Sequence, residues 1–313
     1  MAALTRRNVP RGGQGDFPQA RIGNGVVEAQ VALPAAGGRA SYAGGRFESA
    51  GFVLRFGRGG HNCFGANHPP GRRNPRRHDH VGGQAEEFAA PLVCAADGKW
   101  GEPFIKIGNG LYANATGEPP RFWLDYPALE LFPWEAQVAP DGVSLTQRVA
   151  DVDGYGYVYR KQVRLLPGRA ALEIVYSLRN VGRRPLATRQ YAHNFLALDG
   201  GDVRDFVLVF ARPPSIERAT HAAYALEGRV FVPRSRKVNF VRFQHRVAAR
   251  DNAVTVLDRR TRRGVVVEED YPTDDSSLFV GPTCVCPESN RAGFLPPGKS
   301  AAWRRRYIDV APW

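Results

Sequence analysis

The chain has 313 residues, 43% hydrophobic and 11% aromatic, with a formal net charge of +13. This composition excludes a disordered chain and is sufficient for a large buried core. No stretch approaches the roughly 20 apolar residues of a membrane span, so we expect no membrane partner. Because the basic residues are scattered, we expect no nucleic-acid partner either. For the two densest basic runs, 72–77 and 304–306, the alternatives are an anionic ligand and a solvated surface.

The first twenty residues are polar and rich in arginine and glycine, without the apolar segment of an export signal. We therefore predict a flexible lead-in over 1–20, a single domain over 21–313 and a cytoplasmic location. The cysteines are too few for a disulfide framework in a chain of this size, which predicts reduced thiols. They are Cys63, Cys94, Cys284 and Cys286.

Short segments with alternating apolar and polar residues follow one another along the chain, and each predicts a strand. The first covers 25–33, and within 39–56 a second apolar run follows Gly44-Gly45-Arg46-Phe47. In the clearest segment, 157–165, tyrosine, valine and leucine side chains share one face, and arginine and glutamine side chains share the other. The segment 172–179 alternates in the same way, and Pro167-Gly168 supplies the turn between the two. Further strands are predicted over 206–210, 230–232, 253–257, 264–267 and 302–310. Since convincing helical stretches are few, the sequence predicts an all-β fold, a large antiparallel β-sandwich.

A long segment without periodicity, 57–80, is rich in glycine, histidine, proline and arginine. Loops of this length inside a compact domain are usually functional or disordered. The segment ends in His78-Asp79-His80, but a local His-x-His with no matching ligand cluster is a weak metal signal, so we expect no metal. We also expect no organic cofactor. Glu86 and Glu87 follow. Because successive strand side chains point to opposite faces, at most one of them faces a given pocket.

Three residues are candidates for chemistry. His193 lies in a strand-like segment, and a histidine there is either a general acid or a buried, hydrogen-bonded core residue. Glu288 follows an apolar run and a proline, where a carboxylate is either held at a sheet surface or solvated at the strand end. Arg46 follows two glycines that allow a ligand to approach the backbone closely, and the alternative is an ordinary turn arginine.

Five segments resemble those of a known family. Residues 191–195, Tyr-Ala-His-Asn-Phe, resemble the histidine segment of the aldose 1-epimerases, also called galactose mutarotases. Residues 286–288, Cys-Pro-Glu, followed by the Leu-Pro-Pro-Gly turn at 295–298, resemble the C-terminal stretch that carries the family's catalytic glutamate. Similarity to the uncharacterised bacterial branch of this superfamily covers 46–51, 78–88 and 106–110. The sequence departs from the family in having Asn194-Phe195 in the histidine segment and no recognisable glycine-rich His-Gly segment.

The resemblance implies a galactose mutarotase-like supersandwich and a protein that acts on a monosaccharide or sugar derivative, with an anionic sugar as one alternative. It implies that Glu288 is the base at the anomeric hydroxyl and His193 the acid at the ring oxygen. The substrate-binding residues that it implies are Arg46, His78, Glu86, Glu87 and Asn194. Trp134 and Tyr155 are either core residues or rings that stack on a sugar.

Three functions are compatible with these features: an aldose 1-epimerase, another sugar-processing enzyme such as a lyase or isomerase on the same fold, and a non-catalytic glycan-binding protein. For the enzymes we expect His193 and Glu288 about 5 to 8 Å apart across a cleft, within hydrogen-bond reach of one sugar ring.

Overall fold

Antiparallel β-strands make up almost all of the regular structure in the computed structural model, which describes residues 18–35, 42, 44–66, 74, 77, 80–94, 100–216, 220–237, 239–243 and 246–312. The first twelve strands are β1 (Gln19–Gly23), β2 (Glu28–Ala32), β3 (Val53–Gly57), β4 (Gln84–Phe88), β5 (Leu92–Val93), β6 (Phe104–Lys106), β7 (Gly110–Tyr112), β8 (Ala128–Leu131), β9 (Trp134–Ala139), β10 (Gly142–Val152), β11 (Tyr155–Leu165) and β12 (Ala171–Asn180). The others are β13 (Leu186–Asn194), β14 (Phe206–Phe210), β15 (Thr220–His221), β16 (Tyr224–Glu227), β17 (Val230–Pro233), β18 (Asn239–Phe243), β19 (Ala253–Asp258), β20 (Arg263–Glu269), β21 (Ser276–Val280), β22 (Val285–Ser289), β23 (Arg291–Leu295) and β24 (Ser300–Val310). Short 3₁₀ helices cover Val203–Asp205 and Ala249–Asp251.

The described strands form two large sheets and two small ones. One large sheet has six strands in the order β1-β2-β3-β4-β13-β23. The other has eleven strands in the order β15-β16-β17-β14-β19-β20-β24-β12-β11-β10-β9. The small sheets are β18-β21-β22 and β5-β6-β7-β8. This is the antiparallel β-sandwich that the alternating pattern predicts.

Aromatic side chains join the two large sheets. Phe88 of β4 packs edge-to-face on Tyr159 of β11 with ring centroids 5.3 Å apart, and its centroid is 6.5 Å from that of Trp303 in β24. All three side chains are almost completely buried. Burial of a large apolar side chain stabilises the fold by about 1.5 to 3 kcal/mol, so this contact is a main attachment between the layers.

The strand predictions in the central part of the chain are confirmed. Strand β11 buries Tyr157 and Val163 and exposes Arg160 and Arg164, as the alternation predicts. Strand β12 covers the second predicted segment and pairs with β11 through the predicted turn. Lys161 was not assigned to either face. The alternation directs its side chain inward, where it is 1% exposed.

Charged residues inside the sandwich are neutralised by one another. Arg305 of β24 has no exposed surface, and its guanidinium donates to both carboxylate oxygens of Glu86, at 3.0 Å each, and to Glu269 at 2.6 Å. Its neighbour Arg306 points outward and pairs with Glu173 at 2.9 Å. The basic run 304–306 therefore binds carboxylates of the protein itself.

Three observations concern the chain as a whole. Strand β1 begins at Gln19, so residues 19 and 20 of the predicted lead-in belong to a strand. All four cysteines are free thiols. Within the described ranges, no helix combines the length and the apolar character needed to cross a membrane.

Candidate active site

A cleft of about 690 Å³ lies beside β13. Its volume is within the range of about 300 to 1,000 Å³ that is typical of small-molecule sites. Residues from β4, β6, β13, β18, β21 and β22 line it, together with the segment 120–126 between β7 and β8. The cleft thus combines parts of three of the four sheets.

The alternation of β4 determines which glutamate reaches the cleft. Glu86 and Phe88 point toward the eleven-stranded sheet, where Glu86 meets Arg305. Glu87 points to the opposite face and lines the cleft. In β13, Tyr191 lies opposite Glu87 in the antiparallel register, and directly opposed residues share a face. Tyr191, and His193 two residues later, therefore also line the cleft.

Asn194 joins the strand of the histidine to the strand of the glutamate. Its side-chain Nδ2 donates to the backbone oxygen of Pro287 at 2.7 Å, and its Oδ1 accepts from the Tyr307 hydroxyl at 2.5 Å. Two backbone hydrogen bonds between Leu196 and Val285, 3.0 Å each, join the residues just after β13 to the start of β22. Since Asn194 follows His193 and Pro287 precedes Glu288, these contacts fix the two candidate catalytic groups next to each other.

His193 and Glu288 are in contact at the wall of the cleft. The imidazole Nε2 lies 3.0 Å from Glu288 Oε1, and the two side chains are 8% and 5% exposed. This is shorter than the separation of about 5 to 8 Å that we expect from the sequence. The Ser277 hydroxyl donates to Glu288 Oε2 at 2.8 Å. Glu288 Oε1 and His193 Nδ1 have no hydrogen-bond partner among the described residues, so the short contact is not an aligned hydrogen bond.

Three aromatic rings hold the imidazole of His193. Phe195 stacks on it with centroids 4.7 Å apart and an interplanar angle of 15°. Phe47 and Phe279 meet it edge-on at 5.6 and 5.7 Å. The ring therefore has little freedom to rotate, and its contact with Glu288 is fixed by packing.

A second polar cluster faces the cleft around Glu87. Arg46 Nε donates to Glu87 Oε2 at 2.8 Å, Lys106 Nζ lies 3.3 Å from Glu87 Oε1, and Arg46 also donates to the Tyr191 hydroxyl at 2.9 Å. Burial acts to raise the pKa of Glu87, but the charges of Lys106 and Arg46 outweigh it and lower the pKa from 4.5 to about 2. Burial lowers the pKa of Lys106, which Glu87 opposes. The cluster is thus a fixed ionic wall.

The structure separates the predicted substrate-binding residues into two groups. Arg46 and Glu87 line the cleft. Glu86 and Asn194 are both completely buried and do not line it, because their carboxylate and amide groups are directed into the interior. The assignment of these two residues to sugar binding is therefore corrected. His78 lies outside the described residues.

Of the two alternatives for Trp134 and Tyr155, the structure shows core residues, and other rings line the cleft. Trp134 is a core residue, 2% exposed, and donates from its indole N–H to Ser49 at 3.0 Å, and Tyr155 is 8% exposed and does not line the cleft. Phe122, Trp123 and Phe240 lie at the cleft with 49%, 51% and 65% of their surface exposed. Apolar rings in a segment without strand periodicity, such as 119–124, are the signal that could have identified the first two.

Four basic residues of the cleft lining were also missed, since only Arg46 was predicted there. The cleft is lined by five basic side chains and two acidic ones. The basic residues are Arg46, Lys106, Arg121, Arg189 and Arg242. Asp275 contacts both Arg189 and Arg242. Since Glu87 and Glu288 are the acidic residues, the lining has a positive balance.

Comparison with known proteins identifies the fold. No protein-family model and no curated protein sequence matches the chain. Among solved structures, a protein provisionally designated an aldose 1-epimerase, from Escherichia coli K12, has a TM-score of 0.60 and 13% identity, with coverage of 93% of this chain and 98% of its own. The GalM/aldose epimerase homologue of C. elegans has a TM-score of 0.59 and 12% identity, covering 94% and 99%. A galactose mutarotase related enzyme from Lactobacillus acidophilus has a TM-score of 0.58 and 11% identity, covering 94% and 98%. The chain therefore has the galactose mutarotase-like β-sandwich fold, as the resemblance in sequence implies.

Proposed function

We propose that the protein is an aldose 1-epimerase-like enzyme that interconverts the anomers of a sugar in this cleft. The observation that carries the proposal is the contact of His193 Nε2 with Glu288 Oε1, 3.0 Å apart, in a cleft large enough for a monosaccharide. Both side chains line the cleft, so a sugar bound there would lie beside the pair.

In the proposed reaction Glu288 takes the proton of the anomeric hydroxyl while protonated His193 gives a proton to the ring oxygen. The bond between the anomeric carbon and the ring oxygen then breaks, and the open chain carries an aldehyde. After rotation about the adjacent carbon–carbon bond, the freed hydroxyl attacks the other face of the aldehyde. His193 takes back its proton and Glu288 returns its own, so both groups end in their initial states.

The short distance between the two groups is compatible with this chemistry. The anomeric hydroxyl and the ring oxygen are bonded to the same carbon, so an acid and a base that serve them act at neighbouring points. A pair in contact can reach both oxygens from one side of the ring. Ser277, which donates to Glu288 Oε2, acts as a positioning residue because it directs Oε1 toward the histidine.

We infer that the substrate carries a negative charge, as a phosphate or a carboxylate. The inference rests on the five basic side chains in the cleft lining against two acidic ones. Arginine binds planar or tetrahedral oxyanions through charge-assisted hydrogen bonds. Arg121, whose guanidinium carbon lies 5.6 Å from the Trp123 ring centroid, is at the part of the cleft where exposed rings could cover a sugar face.

The test is nuclear magnetic resonance exchange between α and β anomers for neutral, phosphorylated and uronic sugars. We expect accelerated exchange, strongest for an anionic sugar, and a loss of about 10²- to 10⁴-fold in the rate for His193→Gln and for Glu288→Gln. His221→Gln, which changes an exposed histidine on β15, and Glu135→Gln on β9 are matched controls and should keep the rate. If only neutral sugars exchange faster, the inference of a negatively charged substrate is wrong, whereas the proposed reaction stands.

The alternative with a specific observation in its favour is a non-catalytic glycan-binding protein. Exposed rings at the cleft, Phe122, Trp123 and Phe240, are suited to stacking on sugars whether or not chemistry follows. Binding of a sugar without any acceleration of exchange would favour this alternative. In a glycan-binding protein, Trp123→Ala should weaken sugar binding. In an epimerase, the same substitution should also raise the KM of anomer exchange.

A further inference from the structure

A second cluster of chemically active side chains lies outside the cleft lining. His61 and Cys63 belong to the segment that follows β3, and Asp309 belongs to the end of β24. A histidine nitrogen, the cysteine sulfur and a carboxylate oxygen of these residues all lie within 4.8 Å of one another, and all three residues are buried. None of them lines the cleft, so the chemistry of this cluster is separate from the proposed epimerase reaction.

The spacing of the donor atoms suits a metal ion of the zinc type. His61 Nε2 and Cys63 Sγ are 3.8 Å apart. In a tetrahedral zinc site with Zn–S of about 2.3 Å and Zn–N of about 2.0 to 2.1 Å, the two ligand atoms are about 3.6 Å apart. The distance between these two atoms is therefore within a few tenths of an ångström of a coordinating one.

His61 is oriented as a metal ligand would be. Its Nδ1 forms a hydrogen bond with Asp199 Oδ2, and Asp199 Oδ1 accepts from the backbone N–H of Asn62 at 2.7 Å. This leaves Nε2 to face Cys63. Histidines that bind metals almost always use the other ring nitrogen in this way, toward a carboxylate, a backbone carbonyl or a water, which fixes the tautomer and the direction of the ring.

Asp309 supplies the independent sign of a ligand. Its side chain has no exposed surface. Oδ2 accepts from the backbone N–H of Arg58 at 2.9 Å and lies 3.4 Å from the Nε of the same residue, whereas Oδ1 has no partner in the described part of the chain. A buried carboxylate oxygen without a donor is unfavourable, and a cation would stabilise it.

The donor set is anionic. A Cys63 thiolate and the Asp309 carboxylate carry two negative charges and the imidazole is neutral, while Arg58, 3.4 Å from the Asp309 carboxylate, offsets part of this charge. Binding would replace the proton of the Cys63 thiol, so one proton is released for each ion bound. Nitrogen, sulfur and oxygen ligands in one site favour zinc over magnesium or calcium, which prefer oxygen alone.

We propose that His61, Cys63 and Asp309 bind a divalent cation of the zinc class, with Asp199 as the outer partner of the histidine. Such an ion would connect the segment after β3, in the six-stranded sheet, to β24 in the eleven-stranded sheet. Its expected effect is on the stability of the sandwich, through a cross-link between its two layers.

The test uses the full chain without a histidine tag, stripped with a chelator and titrated with Co²⁺ and Zn²⁺. We expect one ion per chain, a thiolate-to-cobalt charge-transfer band, and a rise in Tm with Zn²⁺ that the chelator reverses. Cys63→Ala and Asp309→Asn should weaken binding by more than about 100-fold, and Asp199→Asn by about 10- to 100-fold, as for other outer partners. Asn also tolerates the positive φ of 64° at position 199.

Cys94→Ala and Cys284→Ser, at thiols outside the cluster, are the controls and should bind like the wild type. The proposal is overturned if the wild type takes up no stoichiometric ion, if its cobalt complex lacks the thiolate band, or if that band disappears in a control. It is also overturned if Asp309→Asn and Asp199→Asn both retain full affinity. If Cys63→Ala does not fold, the cobalt spectra of the wild type and Asp199→Asn decide the question without it.

Discussion

Replacement of Glu87 by glutamine tests the ionic wall of the cleft. The substitution keeps the shape of the side chain and removes its charge. Arg46 and Lys106, with side chains 12% and 7% exposed, then lose their anionic partner. Breaking a buried ion pair is strongly destabilising because the remaining charge is left uncompensated. We therefore expect Glu87→Gln to lower the free energy of unfolding.

The magnitude follows from the pKa of Glu87, which is lowered from 4.5 to about 2 in the folded protein. A difference of about 2.5 in pKa, at about 1.36 kcal/mol for each unit, corresponds to about 3 kcal/mol at neutral pH. Because the folded-state pKa is the lower one, this stabilisation is complete above about pH 4.5 and disappears as the pH falls through 2. Lys106 can release its proton when Glu87 is absent, so about 3 kcal/mol is an upper bound.

Urea unfolding of the wild type and Glu87→Gln between pH 2 and pH 8 measures the effect. We expect a constant difference of up to about 3 kcal/mol above pH 5 and a decreasing difference below it. Glu135→Gln is the matched control, because that side chain is 70% exposed and lies 3.7 Å from an exposed arginine. Surface pairs of this kind contribute about 0 to 1 kcal/mol. The reasoning is refuted if Glu87→Gln unfolds like the control, or if its deficit does not depend on pH.

Three further predictions concern residues around the site. Burial raises the pKa of Glu48 to about 7 despite the nearby Lys161 charge. Because the folded-state pKa is the higher one, wild-type stability should decline as the pH rises from 4.5 through 7. Glu48→Gln should remove this slope in the same unfolding series. Asn194→Ala breaks two buried hydrogen bonds and should cost about 2 to 3 kcal/mol, with a lower anomer-exchange rate; an unchanged Tm would contradict its joining role. Gly83 has φ of 76°, and an added Cβ would lie 2.0 Å from the Val53 backbone oxygen, so Gly83→Ala should lower Tm strongly. A Tm within 2 °C of the wild type, which corresponds to about 1 kcal/mol or less, would reject the backbone argument.

The lining of the cleft was only partly readable from the chain. His193 and Glu288 were candidates from their own segments, and the family resemblance suggested their roles. Their 3.0 Å contact was not predicted, because it depends on the hydrogen bond from Asn194 to Pro287 across 93 residues. The rings of the segment 120–126 escaped prediction because their approach to β13 depends on loop packing, for which no period exists.

The alternation of apolar and polar residues is local, and by itself it determined the all-β class and the buried faces of strands such as β11 and β12. The same alternation established that Glu86 and Glu87 face opposite ways. Only the tertiary structure decided which of them meets Arg305 in the core and which meets Arg46 in the cleft. It also brought together His61, Cys63 and Asp309, which are far apart in the sequence. Such neighbours are set by the order of strands in the sheets and by packing between the sheets, and neither leaves a periodic trace in the sequence.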